Sequence, residues 1–256
     1  MQLIFFTAEE APEVYVSREH WEERFRSMGI WPQFLAGHKV GRENSAAIDR
    51  LYSPFQLVAV VEKPHLRVVG VSNAVPLGCH VAVEDLPNEG WDWAVKAAVD
   101  RTMVAQRDHD LCILSISVLP EFRRHGVGTM FIKEYLRTAH AMGMQRVVAP
   151  VRPVTTHHVI DAPMSEFINL RSHDGRHIDP WIRAHEAVGG KVISICWKSM
   201  TVAASLKQWR SWGADITETT RKFVLPGCIV PVITLPEEDS AVYVEPNIWM
   251  LHETGV

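Results

Sequence analysis

The sequence has little cysteine. Four residues in 256, Cys79, Cys112, Cys196 and Cys228, stand in no CxxC pair and in no Cys/His metal spacing. That leaves no basis for a thiolate metal site or a disulfide scaffold. Cys112, Cys196 and Cys228 sit in or beside apolar runs, as reduced core residues do in a reducing compartment. Long hydrophobic runs are lacking too, since none approaches the roughly 20 apolar residues that span a bilayer. The start, MQLIFFTAEEAPEVYV, has a short apolar patch without basic residues before it and with acids directly after it, unlike a signal peptide. Nor is there an excess of positive charge. With 26 Lys and Arg against 30 Asp and Glu the net charge is -4, whereas a nucleic-acid backbone calls for a basic face. These shortages predict a cytoplasmic chain with no membrane partner, no nucleic acid and no bound metal. No internal repeat or low-complexity tract is present.

What is there is ordinary globular material, 47% hydrophobic and 22% charged, enough for one core. Residues 13–50 read as helical and irregular, with SREHWEERFRSMG as an amphipathic helix capped by Ser17 and ended by Gly29. Two β-branched runs between Phe55 and Leu77 flank Lys63-Pro64-His65 and predict a hairpin. EGWDWAVKAAVDRTMVAQRDHD reads as one helix, with Trp91, Val95, Ala98 and Thr102 near one stripe. A buried strand follows over 111–119, then a helix from Gly126 to about Met142, stopped by Gly143, then the strand RVVAPV. Strand, helix and strand over 111–152 form a crossover unit, so those two strands should lie parallel and adjacent. A polar, His-rich stretch fills 153–178, long for a loop. A short helix over 180–188 has Asp179 as N-cap and Pro180 in its first turn, and the strand KVISICW follows. The last 50 residues offer a short helix, VAASLKQWRSWG, and the strand-like runs CIVPVITL and AVYVEPNIWMLHE. The fold class is therefore α/β, with a central mixed β-sheet flanked by helices.

The stretch VLPEFRRHGVGT, Val118 to Thr129, falls at a strand-to-helix junction. The first N–H groups of a helix lack internal partners and carry the positive end of its dipole. Glycines let an anion approach the backbone, and Arg123 and Arg124 add forked donors. Together they make an anion site sized for a pyrophosphate. GxxxxGK[ST] is absent, and GxGxxG is incomplete. Read blandly, the stretch is a tight turn with solvated arginines, and its strand-to-helix setting raises the anion-site reading above that.

SVLPEFRRHGVGT resembles motif A of the GNAT acyltransferases, [RQ]xxGx[GA] after a V-x-P entry. Arg123, Gly126 and Gly128 fall on the three defining positions. The resemblance implies a GNAT-type fold, acetyl-CoA or another acyl-CoA as co-substrate, and no metal. It gives the pantetheine role to Ile116, Ser117 and Val118. The pyrophosphate role goes to Arg123, Arg124, His125, Gly126, Val127, Gly128 and Thr129. HEAVGGKVI, 185–193, resembles the family's Y-E-x-L-G-F segment, with His185 on the tyrosine position. That tyrosine often protonates the leaving thiolate, and histidine, with an ordinary pKa of about 6.5, can also give a proton. The other reading of His185 is a buried histidine bonded to a carbonyl. Ile178 stands where the family often has an asparagine. The acidic base usual on the motif strand is missing, with Ser115 and Ser117 in its place, which leaves His157, His158, Glu166 or solvent to take a proton.

APMSEFINLRSHDGRHIDPWIRAHEAVGGKVISI is similar to a segment of the GNAT-like domains in curacin-type polyketide loading modules. There a histidine, matched by His185, acts with a threonine, and that threonine position falls on Val151. Arg152 beside it is a candidate for binding a carboxylate. The resemblance implies an acyl-CoA-dependent acyltransferase acting on a small amine or amino-acid-like acceptor. The alternatives are a malonyl-CoA-type decarboxylase, transfer to an acyl carrier protein, and a non-catalytic CoA-binding domain. The expected organisation is a helical extension over 1–54, a core over 55–200 with a lid at 153–178, and a C-terminal extension over 201–256 packed on the core. A homodimer is left open.

Overall fold

The computed structural model describes residues 2–62, 65–78, 81–100, 110–155 and 163–255. The chain opens with a strand, β1 (Ile4–Thr7), and two helices, α1 (Pro12–Tyr15) and α2 (Arg18–Ser27). The Ser17 hydroxyl caps α2 by accepting from the His20 N–H, and Gly29 takes the left-handed conformation just past its end. After α3 (Lys39–Leu51) come β2 (Gln56–Val61), β3 (Arg67–Leu77), α4 (Gly90–Val99) and β4 (Asp110–Val118). The crossover helix α5 (Val127–Ala141) leads to β5 (Arg146–Val151). The remainder comprises α6 (Met164–Phe167), α7 (Pro180–Glu186), β6 (Lys191–Ser205), α8 (Leu206–Ser211), β7 (Lys222–Phe223), β8 (Val232–Leu235) and β9 (Ser240–Glu253).

Among the described residues, nine strands form one mixed sheet in the order β1-β2-β3-β4-β5-β9-β8-β7, with β6 also paired to β9. The apolar start of the chain, read as a patch before a helical region, is in fact the edge strand β1, antiparallel to β2. Its alternation divides the core. Ile4, Phe6, Val58 and Val60 face the α1–α2 side with Tyr15, Trp21 and Phe25. Phe5 points the other way and meets the Phe131 ring of α5 edge-on, with centroids 5.0 Å apart. The long strand β9 sits inside the sheet. Its second half pairs with β5 on one side and β6 on the other, and its first half with β6 and β8. The strand-like run AVYVEPNIWMLHE is thus a central element. The expected helix VAASLKQWRSWG is shorter than read, because Val202 to Ser205 belong to β6.

The hairpin expected between Phe55 and Leu77 is present as β2 and β3, and its turn at Lys63 and Pro64 lies outside the described residues. The helix read from Glu89 is described as far as Val99. Trp91, Val95 and Ala98 are buried on it, while Thr102 lies outside the described residues.

The crossover unit brings β4 beside β5 in parallel, but only over Asp110↔Arg146, Leu111↔Val147 and Cys112↔Val148. Beyond that the two strands part. The cause is visible on the other side of β4, where its register with β3 jumps from Ala74↔Ile113 to Asn73↔Ser115. Leu114 is the extra residue of a β-bulge, which bends and twists the strand that carries it. The first rung of the ladder is clamped by charge. Arg146 Nε donates to Asp110 Oδ1 at 2.9 Å, its Nη2 donates to Asp110 Oδ2, and the pair is almost fully buried. A buried pair costs more to break than it contributes, since one partner is left charged and alone. Arg146→Leu is therefore expected to lose about 3–5 kcal/mol in urea unfolding. The double variant D110L/R146L should recover much of that loss; equal losses in the two variants would contradict the clamp.

Candidate active site

Where β4 and β5 part, the edge of β4 that faces β5 has no ladder partner from Ile113 to Val118 among the described residues. Backbone donors and acceptors left this way must be met by water or by a ligand. Ser115 and Ile116 are partly exposed there, while Ser117 and Val118 are buried. The Ser115 hydroxyl donates to Asn73 Oδ1 at 2.9 Å, and the Trp31 indole donates to Ser117 Oγ at 2.9 Å. The split is thus lined by backbone and hydroxyls, with no carboxylate on β4 from Ile113 to Val118.

The strand runs on through a 3-10 turn at Pro120–Phe122 into α5. Two residues before that helix take left-handed backbone, Arg124 at φ 63° and Gly126 at φ 76°. Gly126 is the N-cap, no side chain caps the first turn, and a Cβ at Gly126 would meet nothing within 4 Å. The helix start therefore opens to solvent with its N–H groups free for an anion. Arg123, Arg124 and His125 are exposed around it. Arg123 Nε donates to the Val118 carbonyl at 3.3 Å, and the His125 ring meets the Arg123 carbonyl at 2.8 Å, so the loop is folded on itself. Val127 is buried, and Thr129 is half-buried on the first turn. Gly128 has a second reason to be glycine, since a Cβ there would come within 2.7 Å of the Trp181 ring on α7.

That contact ties α7 to the loop, and Asp179 ties α7 to the end of β5. One Asp179 oxygen accepts from the Trp181 and Ile182 N–H groups. The other accepts from the Val154 and Thr155 N–H groups and the Thr155 hydroxyl. Asp179 is the helix cap that the sequence suggests, and it also fixes the far wall of the split. His177 supports it, accepting from the Asp179 N–H at 2.9 Å through Nδ1 and meeting the Phe167 carbonyl at 3.1 Å through Nε2.

The two residues expected to carry chemistry are otherwise engaged. His185 is buried on α7, and its Nδ1 meets Nε2 of His252 on β9 at 2.8 Å. Burial, with the neighbouring His252 ring adding to it, pushes His185 down to about 3. Burial pulls His252 down to about 4 against the upward pull of the Val188 carbonyl. Both rings are therefore neutral at neutral pH, and His185 holds no imidazolium proton to give. Arg152 spends its fork inside the protein. Its Nε lies 2.9 Å from Glu245 Oε1, and its Nη2 donates to the Gly227 carbonyl at 2.5 Å. Glu245 is fully buried and also accepts from the Tyr243 hydroxyl at 2.6 Å. Of the other proton acceptors considered, Glu166 is exposed on α6, and His157 and His158 lie outside the described residues, as does Cys79. The remaining thiols are buried and free. Burial pushes Cys112 well up, Cys196 up to about 12 and Cys228 up to about 11, which keeps them from acting as thiolates.

A polar cluster beside the split has no motif in the sequence. The Tyr15 hydroxyl donates to Asp49 at 3.2 Å and accepts from the Asn73 amide at 2.7 Å. Burial raises the Asp49 carboxyl, outweighing the Arg18 N–H and the Tyr15 hydroxyl bonded to it. Arg18 lies buried with its guanidinium carbon 5.0 Å from the Trp91 ring centre, and the Trp91 indole donates to the Leu114 carbonyl at the bulge. Arg18 follows directly on a helix cap, a position that reads as solvent-facing, and only the fold turns it inward against Trp91.

A strand pair that opens after three rungs leaves a backbone edge that runs into a glycine-started helix. The class is that of acyl-CoA-dependent acyltransferases. Residues 44–161 match the acetyltransferase (GNAT) family model. Over 271 aligned residues the chain is 28% identical to arginine N-acetyltransferase avaD of Aspergillus versicolor, covering 96% of this chain and 92% of that one. Its fold is similar to the loading GNATL domain of CurA from Lyngbya majuscula, at TM-score 0.59 and 14% identity, over 99% of this chain and 97% of that one. The GphF GNAT-like decarboxylase, solved with isobutyryl-CoA, gives TM-score 0.53 at 13% identity, over 99% of this chain and all of that one. Among the described residues no group of side chains is arranged to hold a metal ion, and no helix is long and apolar enough to cross a membrane.

The buried histidine pair sets a pH dependence. Both folded values lie below the unfolded value of about 6.5, so the unfolded chain binds more protons between the two. Stability is then full above about pH 6.5 and falls as pH drops toward 4, by up to about 1.4 kcal/mol per pH unit for each ring. Urea unfolding at pH 7.5, 6 and 5 should show that fall, and a shallower one in the H185L/H252L variant. Equal slopes in the two proteins would contradict it.

Proposed function

We propose that the chain transfers the acetyl group of acetyl-CoA to a nitrogen of arginine or of a small molecule built on arginine. The observation that carries the reading is the unpaired β4 edge running into the open helix start at Gly126, in a chain that aligns over most of its length with an arginine N-acetyltransferase. The thioester supplies the activated acyl group, and the residues of the chain position it. Backbone groups of Ile116, Ser117 and Val118 take the pantetheine amides. The N–H groups from Gly126 to Thr129, with Arg123 and Arg124, take the pyrophosphate. This sets the thioester beside the bulge at Leu114, where the acceptor nitrogen attacks the carbonyl directly, the carbon–sulfur bond breaks, the CoA thiolate leaves and the nitrogen gives up its proton to solvent.

His185 and Arg152 are assigned to positioning. The histidine holds α7 to β9, and the arginine holds the end of β5 to Glu245. No donor of a proton to the thiolate is needed from them, since the thiolate, the conjugate base of a thiol of pKa about 8.5, is a weak enough base to leave as the anion.

A decarboxylase reading rests on fold likeness to the CurA and GphF domains, and nothing at the site favours it. Val151 is a buried apolar residue with no hydroxyl to give at the position where a threonine acts in the curacin-type domains. Transfer to a carrier protein and CoA binding without turnover likewise have no observation in their favour.

Incubation with acetyl-CoA and L-arginine is expected to release free thiol and yield a singly acetylated product by mass. Replacing Arg123 and Arg124 together by alanine should raise the KM for acetyl-CoA by about tenfold, as loss of charge-assisted hydrogen bonds does. Malonyl-CoA should remain unchanged in the absence of an amine. Absence of thiol release with arginine and with argininamide would overturn the acceptor, and CO2 release from malonyl-CoA alone would favour decarboxylation instead.

A further inference from the structure

Arg18 is the first residue of α2 and is 2% exposed, among the most deeply buried side chains of the chain. Its Nε donates to Glu22 Oε1 at 2.6 Å, and its backbone N–H donates to Asp49 Oδ2 at 2.8 Å. Its Nη1 is buried with no hydrogen-bond partner. Leaving a buried charged donor unmet is costly, so such a group calls for an explanation beyond packing. The guanidinium lies over the Trp91 ring, whose own N–H reaches the Leu114 carbonyl at 2.9 Å. The Trp91 indole therefore touches both the Arg18 guanidinium and the bulge where β4 leaves β5.

We infer that the free end of Arg18 binds an oxygen on the carboxyl carbon of the acceptor and so selects acceptors that carry one. The inference rests on the arginine-type acceptor proposed above. Three features of the site support it. The guanidinium is pre-set, with Nε anchored on Glu22 and its face on Trp91, so little freedom is lost when an oxygen docks. The position is beside the split, on the side covered by α2 and α4. The charge balance suits an oxygen that need not be anionic, because Glu22 and Asp49 already stand next to Arg18. A carboxylate of free arginine and a carbonyl of an arginine amide or peptide share this chemistry.

The test compares acetylation of L-arginine, argininamide and agmatine, which lacks the carboxyl carbon, with thiol release as the readout. The wild-type protein should favour arginine or argininamide over agmatine in kcat/KM by at least about tenfold, the usual effect of one charged hydrogen bond. R18Q should collapse that ratio toward one, through KM rather than kcat. R18K, which keeps the charge by Glu22 but loses the fork, should fall between. Folding damage lowers all three substrates alike and leaves the ratio standing, so the ratio separates recognition from stability. Which of arginine and argininamide loses more in R18Q tells carboxylate from carbonyl. Turnover with an unchanged ratio in R18Q would overturn the role of Arg18 while leaving the acceptor reading intact. No turnover of any of the three by the wild type would overturn both.

Discussion

The structure depends on the early parting of two parallel strands. β4 and β5 share three rungs, fixed by the buried Asp110–Arg146 pair, and then separate because the bulge at Leu114 turns β4 away. A parallel sheet normally pairs its strands along their length and buries both faces. Here that pairing is given up over the second half of β4, and the free backbone edge becomes the surface on which a long, amide-bearing ligand can lie. The opening is only useful if it stays open. The Asp179 carboxylate, accepting from the chain after β5 and from the start of α7, holds the far wall. Trp181, packed where Gly128 has no side chain, sets that wall against the helix that carries the anion loop.

The same constraint explains why so many polar side chains are buried without catalytic work. Arg152 with Glu245 and Tyr243 is a joint just beyond the last β5–β9 rung, and His185 with His252 joins α7 to β9. A buried ion pair or a neutral histidine pair adds little net stability, but it fixes which surfaces meet. Arg18 differs from these joints in that its unpaired Nη1 belongs to a charged group lying over the Trp91 ring, whose N–H reaches the bulge.

The sequence showed the strand-to-helix loop at 118–129, because its signal is local: a strand end, two arginines and glycines at fixed spacing, followed by a helix. It showed the Asp179 cap and the parallel pair for the same reason. It could not show that β9 lies in the middle of the sheet, since strand order is a long-range property and a C-terminal β-branched run looks the same at an edge. Nor could it place His185. The match to the family position was local, whereas the partner that makes the ring neutral, His252, comes from the last strand. Arg152 looked available because Glu245 is remote in sequence. Arg18 was invisible for the opposite reason, being a charged residue in a charged helix, turned inward only when α2 packs against α3 and brings it over Trp91.

Hydrogen exchange of the backbone amides, measured with and without acetyl-CoA, addresses the central claim most directly, because the account assigns the ligand to backbone groups rather than side chains. It predicts added protection at the amides of Ile116 to Val118 and of Gly126 to Thr129, with little change on β9 around His252. Protection confined to other elements, or none on binding, would contradict the assignment of the split and the helix start as the acyl-CoA site.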